Sequence, residues 1–250
     1  MSLPVHLVPS LDGVTAGATV TVEGDEAHHA VAVRRTRVGE RVVITDGRGR
    51  SVTGSVAETG KRLLSVTAEV VHDLPEPSPS LVVVQALPKG DRGELAVEVL
   101  TEVGVDRVVP WAASRSVAVW KGERAAKSLS RWRATAREAA KQSRRVWHPV
   151  VTELATTADV AALVAGVDLA VVLHEDAAVP LAGLEFPLSG TVLVVVGPEG
   201  GLSDDEVAAF VHAGAVSVRL GAEVLRTSTA GVAACAALLA RTPRWGWIPG

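Results

Sequence analysis

Three places in the chain end an apolar run in residues able to hold a ligand. The clearest is VVVGPEGGLSDDEV, Val194 to Val207, where a valine run stops at Gly197-Pro198-Glu199-Gly200-Gly201. Ser203 then stands three residues before Glu206, the spacing of a helix capping box. Glycines let a backbone approach a ligand closely and adopt positive φ. The second place is RLGAEVLRTSTAG, Arg219 to Gly231, which breaks at Leu220-Gly221 and restarts near Thr227 to Thr229. The third is Leu173-His174-Glu175. In parallel α/β sheets ligands sit beyond the carboxyl ends of the strands, where all three turns fall. The first turn matches neither the dinucleotide fingerprint nor a phosphate-binding loop. Its spacing alone leaves open whether it holds a ligand or only connects, and Thr227 to Thr229 read equally well as a helix cap. No turn supplies a phosphate-binding lysine, a metal cluster or a nucleophile elbow. A cofactor held by backbone amides and carbonyls fits better than a hydrolytic centre.

A second kind of chemistry lies in the distribution of charge. The net charge of the 250 residues is −3, yet Lys121 to His148 carries nine basic residues against Glu123 and Glu138, leaving −10 on the rest. Within it Arg133, Arg137, Lys141 and Arg145 recur every fourth residue, one stripe of a helix, while Ala136, Ala139 and Ala140 form a face that can pack. Arg144, Trp132 and Trp147 add charge and stacking surface. Such a stripe is either a solvated face or a phosphate-binding one. Arg34, Arg35 and Arg37 form a second basic group on a different putative domain, and two such segments suit a long polyanion better than a small molecule. His28 and His29 point apart on a helix, so no metal site is expected.

The elements that must position these residues fall into two regimes. Up to residue 72, short Val/Thr-rich runs alternate with Gly and Asp, with a hairpin signal at Asp46 to Gly49 and one short helix capped by Asp25 and stopped by Gly39. This predicts a small β-barrel over 1–72. Residues 73–80, DLPEPSPS, read as a linker. Over 81–250 strands (LVVVQAL, RVVPWAA, DLAVVLHE, TVLVVVG, VSVRLG) alternate with helices, which predicts an α/β domain with a mainly parallel sheet covered on both faces. The single Cys235 excludes an intrachain disulfide and reads as a buried structural thiol. With no basic-then-apolar leader and no apolar run long enough to span a bilayer, a cytoplasmic, soluble protein without membrane attachment is expected.

The motifs HHAVAVRR, LPKGDRGELAVEVLTEVGVDRVVPWAASRSV, RWRATAREAAKQSRRVWHPVV, LHE, VVVGPEGGLSDDEV and RLGAEVLRTSTA, in this order across nearly the whole chain, resemble the RsmE family of the SPOUT superfamily, bacterial 16S ribosomal RNA uridine-N3 methyltransferases. The resemblance implies an N-terminal PUA-like β-barrel that binds RNA, a trefoil-knotted C-terminal domain, and a homodimer. It implies S-adenosylmethionine held by Leu173, His174, Glu175, Gly197, Pro198, Glu199, Gly200, Gly201, Leu220, Gly221, Leu225, Arg226, Thr227, Thr229 and Ala230. The implied reaction is methylation of N3 of the uridine conventionally numbered 1498 in the small subunit. Arg226 is then placed to stabilise charge on the uracil oxygens, with Glu199 as a candidate catalytic carboxylate. The RNA-facing set becomes His29, Arg34, Arg35, Arg37, Arg115, Arg133, Arg137, Lys141, Gln142, Arg144 and Arg145. Two positions depart from the family pattern: Ser228 stands where LRTETA has its glutamate, and Glu223 where an arginine is usual. Another RNA target, or a ribosome-binding factor without catalysis, are the competing readings.

Overall fold

The protein, here as a computed structural model, is described over residues 3–246. It divides into two compact units, Met1–Glu76 with Ala140–His148, and Pro77–Ala139 with Pro149–Gly250. Residues 140–148, which lie within the second domain by sequence, therefore pack with the first.

The first unit comprises β1 (Val5–Leu7), β2 (Thr19–Glu23), α1 (Gly24–His28), β3 (Arg41–Thr45), β4 (Arg50–Thr59) and β5 (Leu63–Asp73). Its sheet has the order β1-β3-β4-β5-β2, antiparallel except for β1 against β3. Alternation turns Val20, Val22, Val42 and Ile44 inward onto Leu11, Leu64 and Val66. At the hairpin between β3 and β4, Asp46 Oδ1 accepts from the amides of Arg48 and Arg50 at 2.7 and 3.2 Å. Gly49 is required there twice over: its φ is +101°, and a Cβ would fall 2.5 Å from the Trp147 ring. The short helix starts earlier than its expected cap. Glu23 is the N-cap, and Asp25 sits in the first turn paired with Arg62 at 2.6 Å. After α1 the chain widens into a π-helical turn, His29–Val33, with Arg35 left-handed beyond it (φ +58°), so the helix ends before Gly39.

The second unit follows as β6 (Ser80–Ala86), α2 (Arg92–Val103), β7 (Arg107–Trp111), α3 (Glu123–Gln142), β8 (Val150–Val151), α4 (Thr157–Ala165), β9 (Leu169–Leu173), β10 (Val179–Pro180), β11 (Thr191–Val196), α5 (Asp204–His212), β12 (Val216–Arg219) and α6 (Thr227–Leu239). Every strand pair is parallel, in the order β10-β12-β9-β11-β6-β7-β8. Leu81 and Val83 of β6 share a core with α2, α3 and α6, whereas Val82 and Val84 share one with α4 and α5. Both faces are thus covered, as the continuous apolar strands require. α6 approaches the sheet closely because Gly231 has no side chain; a Cβ would lie 3.2 Å from Leu100 and Val196. The two-residue edge strands β8 and β10, and α4 with its Thr156–Asp159 capping box, lie outside the elements read from the sequence. Among the described residues no helix is long and apolar enough to cross a membrane.

Within the first unit one ion pair ties residues 140–148 to α1. Lys141 Nζ donates to both carboxylate oxygens of Glu26 at 3.1 and 2.9 Å, and the Leu7 amide donates to Oε1 at 3.3 Å. His6 Nδ1 lies 3.4 Å from the same oxygen. Burial alone would raise the Glu26 pKa, but His6, the Lys141 ammonium and the Leu7 amide outweigh it and hold the carboxyl at about 2. Because folding lowers this pKa, the pair's stabilisation is complete above the ordinary value of 4.5 and is lost as pH falls towards 2. Glu26→Gln should destabilise the first unit by about 1–3 kcal/mol at neutral pH. It should also flatten the acid limb of urea-unfolding stability in that window, and parallel acid limbs in parent and variant would contradict the assignment.

Candidate functional site

The three turns singled out in the sequence end three adjacent strands. β12, β9 and β11 lie side by side and parallel, so their carboxyl ends share one edge of the sheet. Residues 173–176, 196–202 and 219–227 from those ends line a single cavity of 620 Å³, with Asp204, Ala230, Arg92 and Arg115. That volume lies within the usual range for small-molecule sites, about 300–1,000 Å³. Its wall combines Leu173, Val196, Pro198, Leu202 and Leu220 with the charged groups of Arg92, Arg115, Arg219, Arg226, Glu175, Asp176, Glu199, Asp204 and Glu223.

Of the residues expected at a cofactor site, Leu173, His174, Glu175, Gly197, Pro198, Glu199, Gly200, Gly201, Leu220, Gly221, Leu225, Arg226, Thr227 and Ala230 all line the cavity. Thr229 does not. Its hydroxyl donates to the Arg226 carbonyl at 3.3 Å, so it serves the start of α6. Glu199 and Arg226, the two candidate catalytic groups, face the same space, and Glu199 Oε1 accepts from the Lys89 amide at 3.1 Å. Ser228 is buried and lies outside the cavity lining, whereas Glu223 is part of it. The departure at 228 therefore changes a packed position and not the cavity wall.

The glycine turn is rigid by construction. Gly201 takes φ +72° and its amide donates to the Pro198 carbonyl at 3.0 Å. A Cβ on Gly197 would come within 3.0 Å of Leu202, and one on Gly200 within 3.1 Å of the Arg115 carbonyl. The capping box forms as expected: the Ser203 hydroxyl accepts from the Glu206 amide, and Glu206 Oε2 accepts from the Ser203 amide. Glu206 does more than the sequence motif implies, since its Oε1 also accepts from the Ser114 amide at 2.7 Å. Burial would raise the pKa of this carboxyl, but the bonds from Ser114 and Ser203 win and lower it.

The expected RNA-facing residues separate into two groups. Arg34, Arg35, Arg37, Gln142 and Arg144 are exposed, and His29 is half-buried in the π-helical turn. Others are engaged in the fold. Lys141 is held by Glu26, and Arg133 donates to the Val151 carbonyl at 3.0 Å and to Glu153 at 2.8 Å; Arg137, by contrast, is exposed and lies 3.7 Å from its chain neighbour Glu138. Arg145 is half-buried, and its amide donates to the Ala140 carbonyl. Arg115 belongs to the cavity. Of the aromatic groups expected as stacking surface, Trp132 is buried edge-to-face on Trp120 at 5.0 Å. Trp147 covers Gly49 and donates to the Leu74 carbonyl. Ala136, Ala139 and Ala140 are buried, as their spacing requires.

Residues 75–239 match the family model of an RNA methyltransferase domain, and residues 22–69 that of an RNA methyltransferase PUA domain. The chain is 45% identical over 233 residues to ribosomal RNA small subunit methyltransferase E of Mycobacterium tuberculosis, covering 92% of this chain and 89% of that one. It is 29% identical to the Bacillus subtilis protein of the same name, covering 90% and 91%. Among solved structures, ribosomal RNA small subunit methyltransferase E of Neisseria gonorrhoeae bound to S-adenosyl methionine superposes with a TM-score of 0.85 at 26% identity, covering 96% and 98%. A Legionella pneumophila methyltransferase in complex with the cofactor SAM gives 0.86 at 25%, covering 97% and 99%.

Glu206 should govern the turn after β7 as well as the start of α5. Glu206→Gln keeps the shape and loses the charge, so amide exchange at Ser114 and Ser203 should accelerate by an amount equivalent to about 1 kcal/mol of protection. Because folding lowers the Glu206 pKa, the effect is present above the ordinary carboxylate range and fades once acid protonates the parent. Unchanged exchange at Ser114 would separate that turn from Glu206.

Proposed function

The chain belongs to the ribosomal RNA small subunit methyltransferase E family, and from that premise we propose that it methylates N3 of the uridine conventionally numbered 1498 in 16S ribosomal RNA, with S-adenosylmethionine as methyl donor. The observation that carries this reading is the convergence of three strand-end loops on one cavity, in a chain whose likeness to a cofactor-bound relative extends over nearly its whole length.

The cavity suits such a cofactor. Its apolar wall can take an adenine, its exposed glycine turn offers backbone groups, and its carboxylates suit the cationic ammonium and sulfonium. The residues holding it would be Leu173 to Glu175, Gly197 to Gly201, and the segment from Leu220 to Thr227 with Ala230. When bound, it supplies a methyl group activated by a positively charged sulfur. The chain's own residues must then make N3 a nucleophile, because N3 of uracil carries a proton and attacks poorly until that proton leaves. Arg226, a residue of the cavity lining, stabilises negative charge gathering on the uracil oxygens. Glu199 accepts the proton. Its Oε1 is oriented by the Lys89 amide, and its Oε2 makes no hydrogen bond among the described residues. The target base must leave its stack to reach this site.

The rRNA itself binds through the exposed arginines of the PUA-like first unit, Arg34, Arg35 and Arg37, with Arg144. The assembled small subunit as partner, a homodimer, the knotted path and a cytoplasmic location complete the reading.

Calorimetric titration with S-adenosylmethionine is expected to show one binding event that Gly200→Val abolishes, since the added side chain would press on the Arg115 backbone. Nucleoside mass spectrometry of 16S rRNA after reaction should give 3-methyluridine. A ribose-methylated product would instead assign another target, and RNA binding without cofactor binding would leave a ribosome-binding factor. Replacing Arg34, Arg35 and Arg37 with Ala should weaken RNA binding and reduce its salt slope by about 0.7–0.9 for each phosphate no longer neutralised. Cofactor affinity should stay as in the parent, and an unchanged salt slope would make those arginines a solvated face.

A further inference from the structure

Arg115 stands in the turn after β7 and reaches across to the loop between β11 and α5. Its Nη1 donates to the Leu202 carbonyl at 3.0 Å and to the Gly200 carbonyl at 3.4 Å. The approach is close in the backbone as well, for a Cβ on Gly200 would lie 3.1 Å from both the Cβ and the carbonyl oxygen of Arg115. The preceding residue holds the other end of the same loop, its amide donating to Glu206. Ser114 and Arg115 thus span the loop from Gly200 to Glu206.

The consequence lies in the peptide planes. The Gly200–Gly201 peptide has its carbonyl on Arg115 and its amide on the Pro198 carbonyl. The Leu202–Ser203 peptide has its carbonyl on Arg115 and its amide on Glu206 Oε2. Each plane is fixed at both ends, and one end of each is the same guanidinium. Without it, a Gly-Gly pair in which one residue is left-handed has more than one orientation of similar energy. A ligand would then have to select the competent one at a cost in affinity.

We propose that Arg115 is a positioning residue that preorganises the glycine turn for the methyl donor, and not a phosphate ligand of the RNA. This rests on the S-adenosylmethionine reading of the cavity. Arg115→Ala and Arg115→Lys separate the two roles. Lysine keeps the positive charge that a phosphate contact needs, but its side chain ends one atom short of Nη1, the nitrogen that donates to both carbonyls. Calorimetry with S-adenosylmethionine should show a dissociation constant raised about tenfold in both variants, equivalent to about 1.4 kcal/mol. RNA affinity should remain within about twofold of the parent. In steady state, KM for the cofactor should rise with kcat at saturation unchanged, a split that general destabilisation of the fold would not produce. Melting of the ligand-free variants checks that they are folded. Cofactor affinity equal to the parent's in the folded Arg115→Lys variant would overturn the proposal, whatever the RNA affinity does. Failure of the parent itself to bind S-adenosylmethionine would instead sink the cofactor reading on which it stands.

Discussion

The structure of the second unit depends on one constraint: its seven strands are all parallel. Parallel neighbours finish at the same edge, so the loops that follow β12, β9 and β11 cannot avoid one another. Those loops are far apart along the chain, beginning after Leu173, Val196 and Arg219, yet they line one cavity. Parallel pairing also requires crossovers, and the helices that provide them cover both faces and leave the strand ends as the open place for a ligand.

Openness at a sheet edge would be of little use without rigidity, and two charged side chains supply it. Glu206 gives one oxygen to the cap of its own helix and the other to the turn after β7. Arg115 returns along the same route to the carbonyls of the glycine turn. The turn is held by groups outside it, so its glycines can serve close approach without leaving the loop loose. Gly231 plays the corresponding part below the cavity, letting α6 settle onto β11 and α2.

In the first unit charge has a different task. Glu26, Lys141 and His6 meet where residues 140–148 pack on α1, while the arginines of the neighbouring helix end stay exposed. The basic residues singled out in the sequence thus divide into some that build the protein and some left exposed. Lys141 and Arg133 fall in the first class; Arg34, Arg35, Arg37 and Arg144 fall in the second.

Local chemistry made much of this legible in advance. Val-rich runs, the Asp46 to Gly49 hairpin, the Ser203–Glu206 capping box and the glycine turn are all short-range features. Most strands and helices, though not α4, and the three turns that line the cavity are therefore visible in the sequence itself. The two-residue strands β8 and β10 were not legible, because so short a segment carries no period. Nor was the fate of individual charged and aromatic side chains. Lys141 meets a carboxylate 115 residues away, Arg115 a carbonyl 87 residues away, and Trp132 is buried against Trp120 and not offered for stacking. Spacing marks which residues share a face of a helix or an end of a strand. Which of them is neutralised, buried or left facing a ligand depends on partners brought together only when the sheets close over their cores, and only the tertiary structure decided that.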